Sequence, residues 1–132
     1  MNIMPIDCKD FLNGAKKILN SSDCECDYRN AISRAYYSIY HHAQNIHNLL
    51  PTGGCLPPVE EKRGLHETLY YQLAHPTVLD ENSKKISKSV GYILKDIKTM
   101  RVKADYRLDS IVSKGEAELA IKEAQRAHTK LL

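Results

Sequence analysis

Arg29-Asn30-Ala31-Ile32-Ser33-Arg34-Ala35-Tyr36-Tyr37-Ser38-Ile39-Tyr40-His41-His42 lies in a stretch that meets no proline or glycine until Pro51. Around it, apolar or semi-apolar residues recur at Tyr28, Ile32, Ala35, Ile39, His42, Ile46 and Leu49. These alternating steps of four and three are the repeat of a helix with one buried stripe. The spacing predicts one long helix from about Asp27 to Leu50. Arg34 and His41 sit one heptad apart on it, on one side and about 10 Å apart along the axis. Basic, titratable and aromatic groups beside a core stripe exceed what a packing helix needs.

Working outward, the segment before it predicts a helix from near Asp7 to Asn20, with Phe11, Leu12, Ala15, Ile18 and Leu19 as its apolar face and Asp7 as its cap. Asn20-Ser21-Ser22-Asp23 reads as a turn. On the other side, Pro51-Thr52-Gly53-Gly54-Cys55-Leu56-Pro57-Pro58 holds no regular element and is expected to be the most mobile interior segment. A short helix from about Gly64 to His75 carries Leu65, Leu69 and Leu73, and Pro76 ends it. A fourth helix starts near Asn82 or Ser83, with Ile86, Val90, Ile93, Leu94, Ile97 and Met100 inward. Ser113-Lys114-Gly115-Glu116 is a capping-box pattern that opens a fifth. Ala117, Ala120, Ile121, Ala124, Ala127 and Leu131 follow it at helical spacing, and the alanines imply close approach to a neighbour. Nothing alternates like a strand. The expected fold is all-α: an up-and-down helical bundle of four main helices plus one short helix, as one domain over residues 1–132.

The chain has 132 residues, enough for one core, with 42% hydrophobic and 27% charged residues. A formal net charge of +3 does not by itself mark a nucleic-acid binder. No apolar run approaches the ~20 residues that span a bilayer, so no membrane partner is expected. Met1-Asn2-Ile3-Met4-Pro5-Ile6-Asp7 shows no basic region followed by an apolar core, so no secretory signal is read. Cys8, Cys24, Cys26 and Cys55 are accordingly expected as reduced thiols in a cytoplasmic protein. Cys24-Glu25-Cys26 has metal-ligating residue types but no second close pair, so neither metal nor cofactor is expected.

Charge is concentrated late. Between Lys84 and Arg107 stand eight basic residues against Asp96 and Asp105, a local sum of +6 that leaves −3 for the rest. Lys84, Lys88, Lys95 and Lys98 fall on one side, opposite the apolar stripe. They read either as a solvated face or as a ridge that tracks phosphates. Arg101 falls four residues after Ile97, on or beside the buried stripe, where an unpaired guanidinium costs several kcal/mol. Asp105, four residues on, is its expected partner.

Ser33-Arg34-Ala35-Tyr36-Tyr37-Ser38-Ile39-Tyr40-His41 resembles the Ser-Arg-Ala-Tyr-Tyr-Ala-x-Phe-His block of HEPN-domain proteins (higher eukaryotes and prokaryotes nucleotide-binding). Arg101-Val102-Lys103-Ala104-Asp105-Tyr106 resembles the later Arg-x-x-x-Asp-Tyr element of the same family, and His66 stands where that family opens its middle segment. The small standalone prokaryotic branch is the most similar. The resemblance implies a bundle that forms a homodimer. It implies action on RNA, in many members as a metal-independent endoribonuclease of toxin–antitoxin or antiphage type, with an antitoxin as partner. The alternative is a non-catalytic nucleotide- or RNA-binding module paired with a minimal nucleotidyltransferase. Active members carry Arg, four to six residues, then His, at the start of the last core helix. Here Arg34 to His41 matches that spacing but sits in the second helix. At the late place, Arg101 is followed by Asp105-Tyr106, with no histidine.

If the protein cuts RNA, a 2′-hydroxyl attacks the adjacent phosphodiester and leaves a 2′,3′-cyclic phosphate. The candidate catalytic residues are Arg34, His41 and Arg101, the histidine as acid or base and the arginines on the phosphorane oxygens. Tyr37, Asp105, Tyr106, Lys84, Lys88, Lys95 and Lys98 are the candidate substrate-binding residues. His42 falls on the apolar stripe and reads as a core histidine. The tyrosines serve equally as core or interface residues, and a third reading makes every polar group a clamp of the bundle.

Overall fold

The computed structural model describes residues 6–61 and 63–132. The segment 1–5, which carries most of the reading on a secretory signal, lies outside the described residues. Five helices follow one another: α1 (Cys8–Asn20), α2 (Glu25–Leu49), α3 (Leu65–Ala74), α4 (Glu81–Tyr106) and α5 (Lys114–His128). Among the described residues there is no strand. The all-α bundle with one short helix is therefore as expected, α3 being the short one.

The helix starts are locally specified. The Asp7 carboxylate accepts from the backbone N–H groups of Lys9 and Asp10, while the Asp10 carboxylate accepts from the Asp7 N–H. Ser113 and Glu116 make the same reciprocal box at α5. Each satisfies donors that a helix N-terminus leaves without partners. Asp80 caps α4, so that helix begins slightly before the expected Asn82.

α2 is the axis of the bundle. It packs against all four other helices, while α1 meets α5, α5 meets α4, and α4 meets α3 around it. Being surrounded, α2 buries more than the one stripe read from its repeat: Ala31, Tyr36, Ser38 and Ala43 are inside as well. The stripe fails at its end, where Leu49 is 71% exposed while the next residue, Leu50, turns inward and is buried. Leu65 and Leu131 also face solvent, against expectation. Leu65 opens α3 before that helix docks, and Leu131 lies beyond the end of α5. The four alanines and one isoleucine read as the face of α5 hold otherwise, with Ala117, Ala120, Ala124 and Ala127 fully buried and Ile121 buried.

The Pro/Gly-rich loop 51–58 is tied down rather than free. The Cys55 N–H donates to the His75 carbonyl (2.9 Å), and the Gly54 N–H donates to His47 Nε2 (3.0 Å). Thr77 Oγ1 lies 2.7 Å from both Thr52 Oγ1 and the Gly53 carbonyl. Gly54 lies so close to α3 that a Cβ there would overlap the Gln72 carbonyl at 1.9 Å. At the α3–α4 seam, Ser87 donates to the Leu73 carbonyl (2.8 Å), and Gly91 leaves room for the Leu73 side chain. Among the described residues no helix is long and apolar enough to cross a membrane.

Candidate functional site

The last turns of α4 bring Arg101 against α2. Its Nε donates to Asp105 Oδ2 (2.8 Å), and its Nη2 donates to the hydroxyls of Tyr37 (3.2 Å) and Tyr106 (3.4 Å). The guanidinium also lies over the rings of Tyr36, Tyr37 and Tyr106 at 5.3, 5.6 and 5.2 Å, within cation–π range. Ser33 Oγ donates to the same Asp105 oxygen (3.3 Å). The Arg101 and Asp105 side chains are 16% and 26% exposed, so the pair is largely withdrawn from water. Four of the sequence candidates, Arg101, Asp105, Tyr37 and Tyr106, are thus one contact set.

Arg34 corrects an expectation. It is not beside the core but exposed, lining an open groove of about 410 Å³ with Ile18, Asn30, Ser33 and Tyr37. Its charge is solvated, so it does not call for a counter-anion as a buried one would. His41 is half-buried, stacked on Phe11 of α1 (centroids 5.3 Å apart) and edge-on to Tyr40. Tyr37 is the neighbour these residues share: it takes the Arg101 hydrogen bond, borders the groove with Arg34, and packs on Phe11 at 6.4 Å. Among the described residues Arg34 forms no hydrogen bond or ion pair, whereas Arg101 is bonded through two of its nitrogens. His42 is a core histidine: it is buried, and its Nε2 meets the Lys130 carbonyl at 3.0 Å. Burial pushes its pKa down, and the Lys130 and Ala127 carbonyls oppose that shift.

A second cavity, between α3 and α4, contains residues the sequence reading passed over. It measures about 500 Å³ and is lined by Tyr36, His66, Tyr70, Lys95, Lys98, Lys103 and Arg107 among others. The buried Tyr36 hydroxyl hydrogen-bonds His66 Nδ1, and the His66 ring stacks between Tyr40 (4.1 Å) and Tyr36 (5.5 Å). Burial pushes the Tyr36 phenol well above its ordinary range, so it keeps its proton. Burial, then the Arg101 and Lys98 charges and His41, push His66 down. The pair is therefore neutral at pH 7, with one hydrogen bond joining the phenol oxygen and Nδ1. Sequence reading groups Tyr36 with Tyr37 and Tyr40, and His66 is marked only by its place in the resemblance; neither is picked as a site residue.

The lysine ridge is partly neutralised, which corrects the picture of a free cationic face. Lys84 pairs with Glu81 (3.1 Å), Lys98 with Glu67, and Lys103 with Glu116 (2.6 Å). Lys95 lies over the Tyr70 ring at 5.2 Å, and Lys88 is exposed. The cavity wall still carries four cations, Lys95, Lys98, Lys103 and Arg107, against the single carboxylate of Glu67.

Arg29 is the structural residue that sequence reading missed. Its Nη1 donates to the carbonyls of Lys103 (3.2 Å), Ala104 (2.9 Å) and Arg107 (3.2 Å), and its Nη2 to Glu25 (3.0 Å) and the Ser110 carbonyl. Glu25 in turn accepts from the Val112 N–H (2.9 Å). That N–H and then Arg29 hold the Glu25 carboxyl below its ordinary value. One arginine thus caps α4 and anchors the turn into α5. Only its distant partners reveal this, and they have no local signature. Cys24 and Cys26 stay exposed, with the Cys24 thiol donating to Asp27 (3.3 Å). Compared with family models, curated proteins and solved structures, the chain matches none.

Proposed function

We propose that this chain is a HEPN-like module that binds RNA or a nucleotide without cutting it, with the α3–α4 cavity as the site. One observation carries the reading: aromatic rings and an excess of cations line one cavity. Tyr70 supplies a flat face, the His66 ring, backed by the buried Tyr36, a neutral polar edge, and Lys95, Lys98, Lys103 and Arg107 charge for phosphates. Aromatic faces beside cations suit unstacked bases and their backbone. Lys88 and Lys84 lie on the same face of α4 further upstream, so a polyanion meets charge before it reaches the cavity. Arg101, by contrast, is held by Asp105 and two phenols and has no free fork for a phosphorane. This binding role is the one that pairs with a minimal nucleotidyltransferase.

One observation favours the endoribonuclease reading as the second: Arg34 and His41 flank Tyr37 on one side of α2, and Arg34 has no ion-pair partner among the described residues. The paired assay is direct. Anisotropy of a labelled single-stranded RNA is measured across a salt series for the wild type and for Lys95→Ala/Arg107→Ala. The double variant should bind more weakly, with its log–log salt slope shallower by about 1.4, the value for two lost single-strand phosphate contacts. An unchanged slope removes the cavity as the site. Mixed RNA incubated with the wild type in EDTA should stay intact. New 2′,3′-cyclic phosphate ends that vanish in His41→Ala would replace the binding reading with the nuclease one.

A further inference from the structure

Three side chains far apart in sequence meet where α1 begins, α2 passes and α5 ends. Cys8 opens α1, His42 lies on α2 and His128 closes α5. One ligating atom from each lies within 4.8 Å of the other two, and the imidazole centroids are 4.7 Å apart. The RNA-binding reading uses none of the three.

The outer edges of both rings are already engaged. His42 Nε2 meets the Lys130 carbonyl (3.0 Å), and His128 Nε2 meets the buried Ser38 hydroxyl (2.6 Å). That leaves each Nδ1 as the remaining edge. His128 Nδ1 is buried and has no hydrogen-bond partner among the described residues. A buried ring nitrogen without a partner is rare in folded proteins and asks for a bound water or ion. Metal-ligating histidines have this arrangement, with the outer nitrogen fixed by a carbonyl or hydroxyl and the inner lone pair aimed at the ion.

We propose that Cys8, His42 and His128 form a transition-metal site of the zinc type, with the fourth position open to solvent on the half-exposed Cys8 side. One thiolate and two imidazoles are borderline-soft donors that suit Zn²⁺ or Co²⁺ and exclude the oxygen-seeking Mg²⁺ and Ca²⁺. Tetrahedral Zn²⁺ places such donors about 3.4–3.6 Å apart, so the cluster needs to close by about 1 Å. That closure is on the scale of small side-chain rotations of the three ligands. On coordination the Cys8 thiol gives its proton to solvent and its sulfur lone pair to the metal. No electron is transferred. The bound ion fastens the start of α1 and the end of α5 to α2, so its role is structural.

The test uses full-length Cys24→Ser/Cys26→Ser/Cys55→Ser, which removes the three exposed thiols and keeps Cys8. Stripped of metal by chelator and titrated with Co²⁺, it should bind one equivalent. The visible bands of a four-coordinate site and a thiolate-to-cobalt charge-transfer band should appear. Zn²⁺ should bleach both and raise the melting temperature, as ligand binding to the native state requires. Absence of the charge-transfer band in this triple variant overturns the proposal. So does its persistence in a folded Cys8→Ser protein, which would assign it to the surface thiols. If Cys8→Ser does not fold, the triple variant decides alone.

Discussion

Arg101 meets one carboxylate, two phenol oxygens and three aromatic faces, and its side chain is 16% exposed. The pair with Asp105 lies between a surface ion pair, worth under about 1 kcal/mol, and a dry one, whose breakage costs about 3–5 kcal/mol. Asp105→Ala should therefore destabilise the protein by about 2 kcal/mol in urea unfolding. A midpoint equal to wild type would show that the phenols alone hold the guanidinium. His66 gives a second residue-scale outcome. Its folded pKa is depressed, so below its unfolded value of about 6.5 the unfolded state binds the extra proton. The His66 contribution to stability is fully present above that pH and is lost as pH falls through the depressed folded value. NMR titration of the ring should show a midpoint below 6.5, and an upward move of that midpoint in Tyr36→Phe would assign the phenol as donor to the neutral ring. A midpoint unmoved by that substitution would show that burial and the surrounding charges set it alone.

Among the elements, α4 is the one whose end depends on another helix. Its last carbonyls are satisfied by a side chain from α2, Arg29, whose own side chain is 13% exposed. A lysine keeps the charge but lacks the planar fork that spans four carbonyls and a carboxylate. Arg29→Lys should cost about 2–3 kcal/mol, with faster amide exchange across residues 107–113 than in α1. Equal acceleration of exchange in both places would argue against a local cap. Loop 51–58 makes the complementary point: composition marked it as irregular, correctly, yet irregular backbone can be pinned by its own hydrogen bonds to α2 and α3.

For the whole molecule, the resemblance implies a homodimer, and Tyr106, Leu108 and Ile111 stand exposed together around the α4–α5 turn. Sedimentation at micromolar concentration should give a species of twice the chain mass. A monomer throughout would overturn the expected homodimer. Ile111→Glu should shift the population to monomer without changing the helical content, since that side chain is 81% exposed in the single chain.

Local physics made much of this protein legible in its sequence. The capping boxes at Asp7 and Ser113, the turns, the buried stripes of α4 and α5 and the Arg101–Asp105 pair all join residues within one turn of each other, where spacing fixes geometry. Tertiary structure alone decided the rest. Periodicity assigns one stripe to α2, but four neighbouring helices bury it more widely, take in Tyr36 and Ser38, and leave Arg34 in solvent. Spacing cannot show that Arg29 caps a helix beginning some fifty residues later, that Glu67 and Glu116 neutralise the lysine ridge, or that His66 stacks between two tyrosines of α2. The same holds for Cys8, His42 and His128, which no local motif connects. Contacts between distant segments depend on how helices pack, and a hydrophobic repeat states only which face is buried, not which side chains face it across the seam.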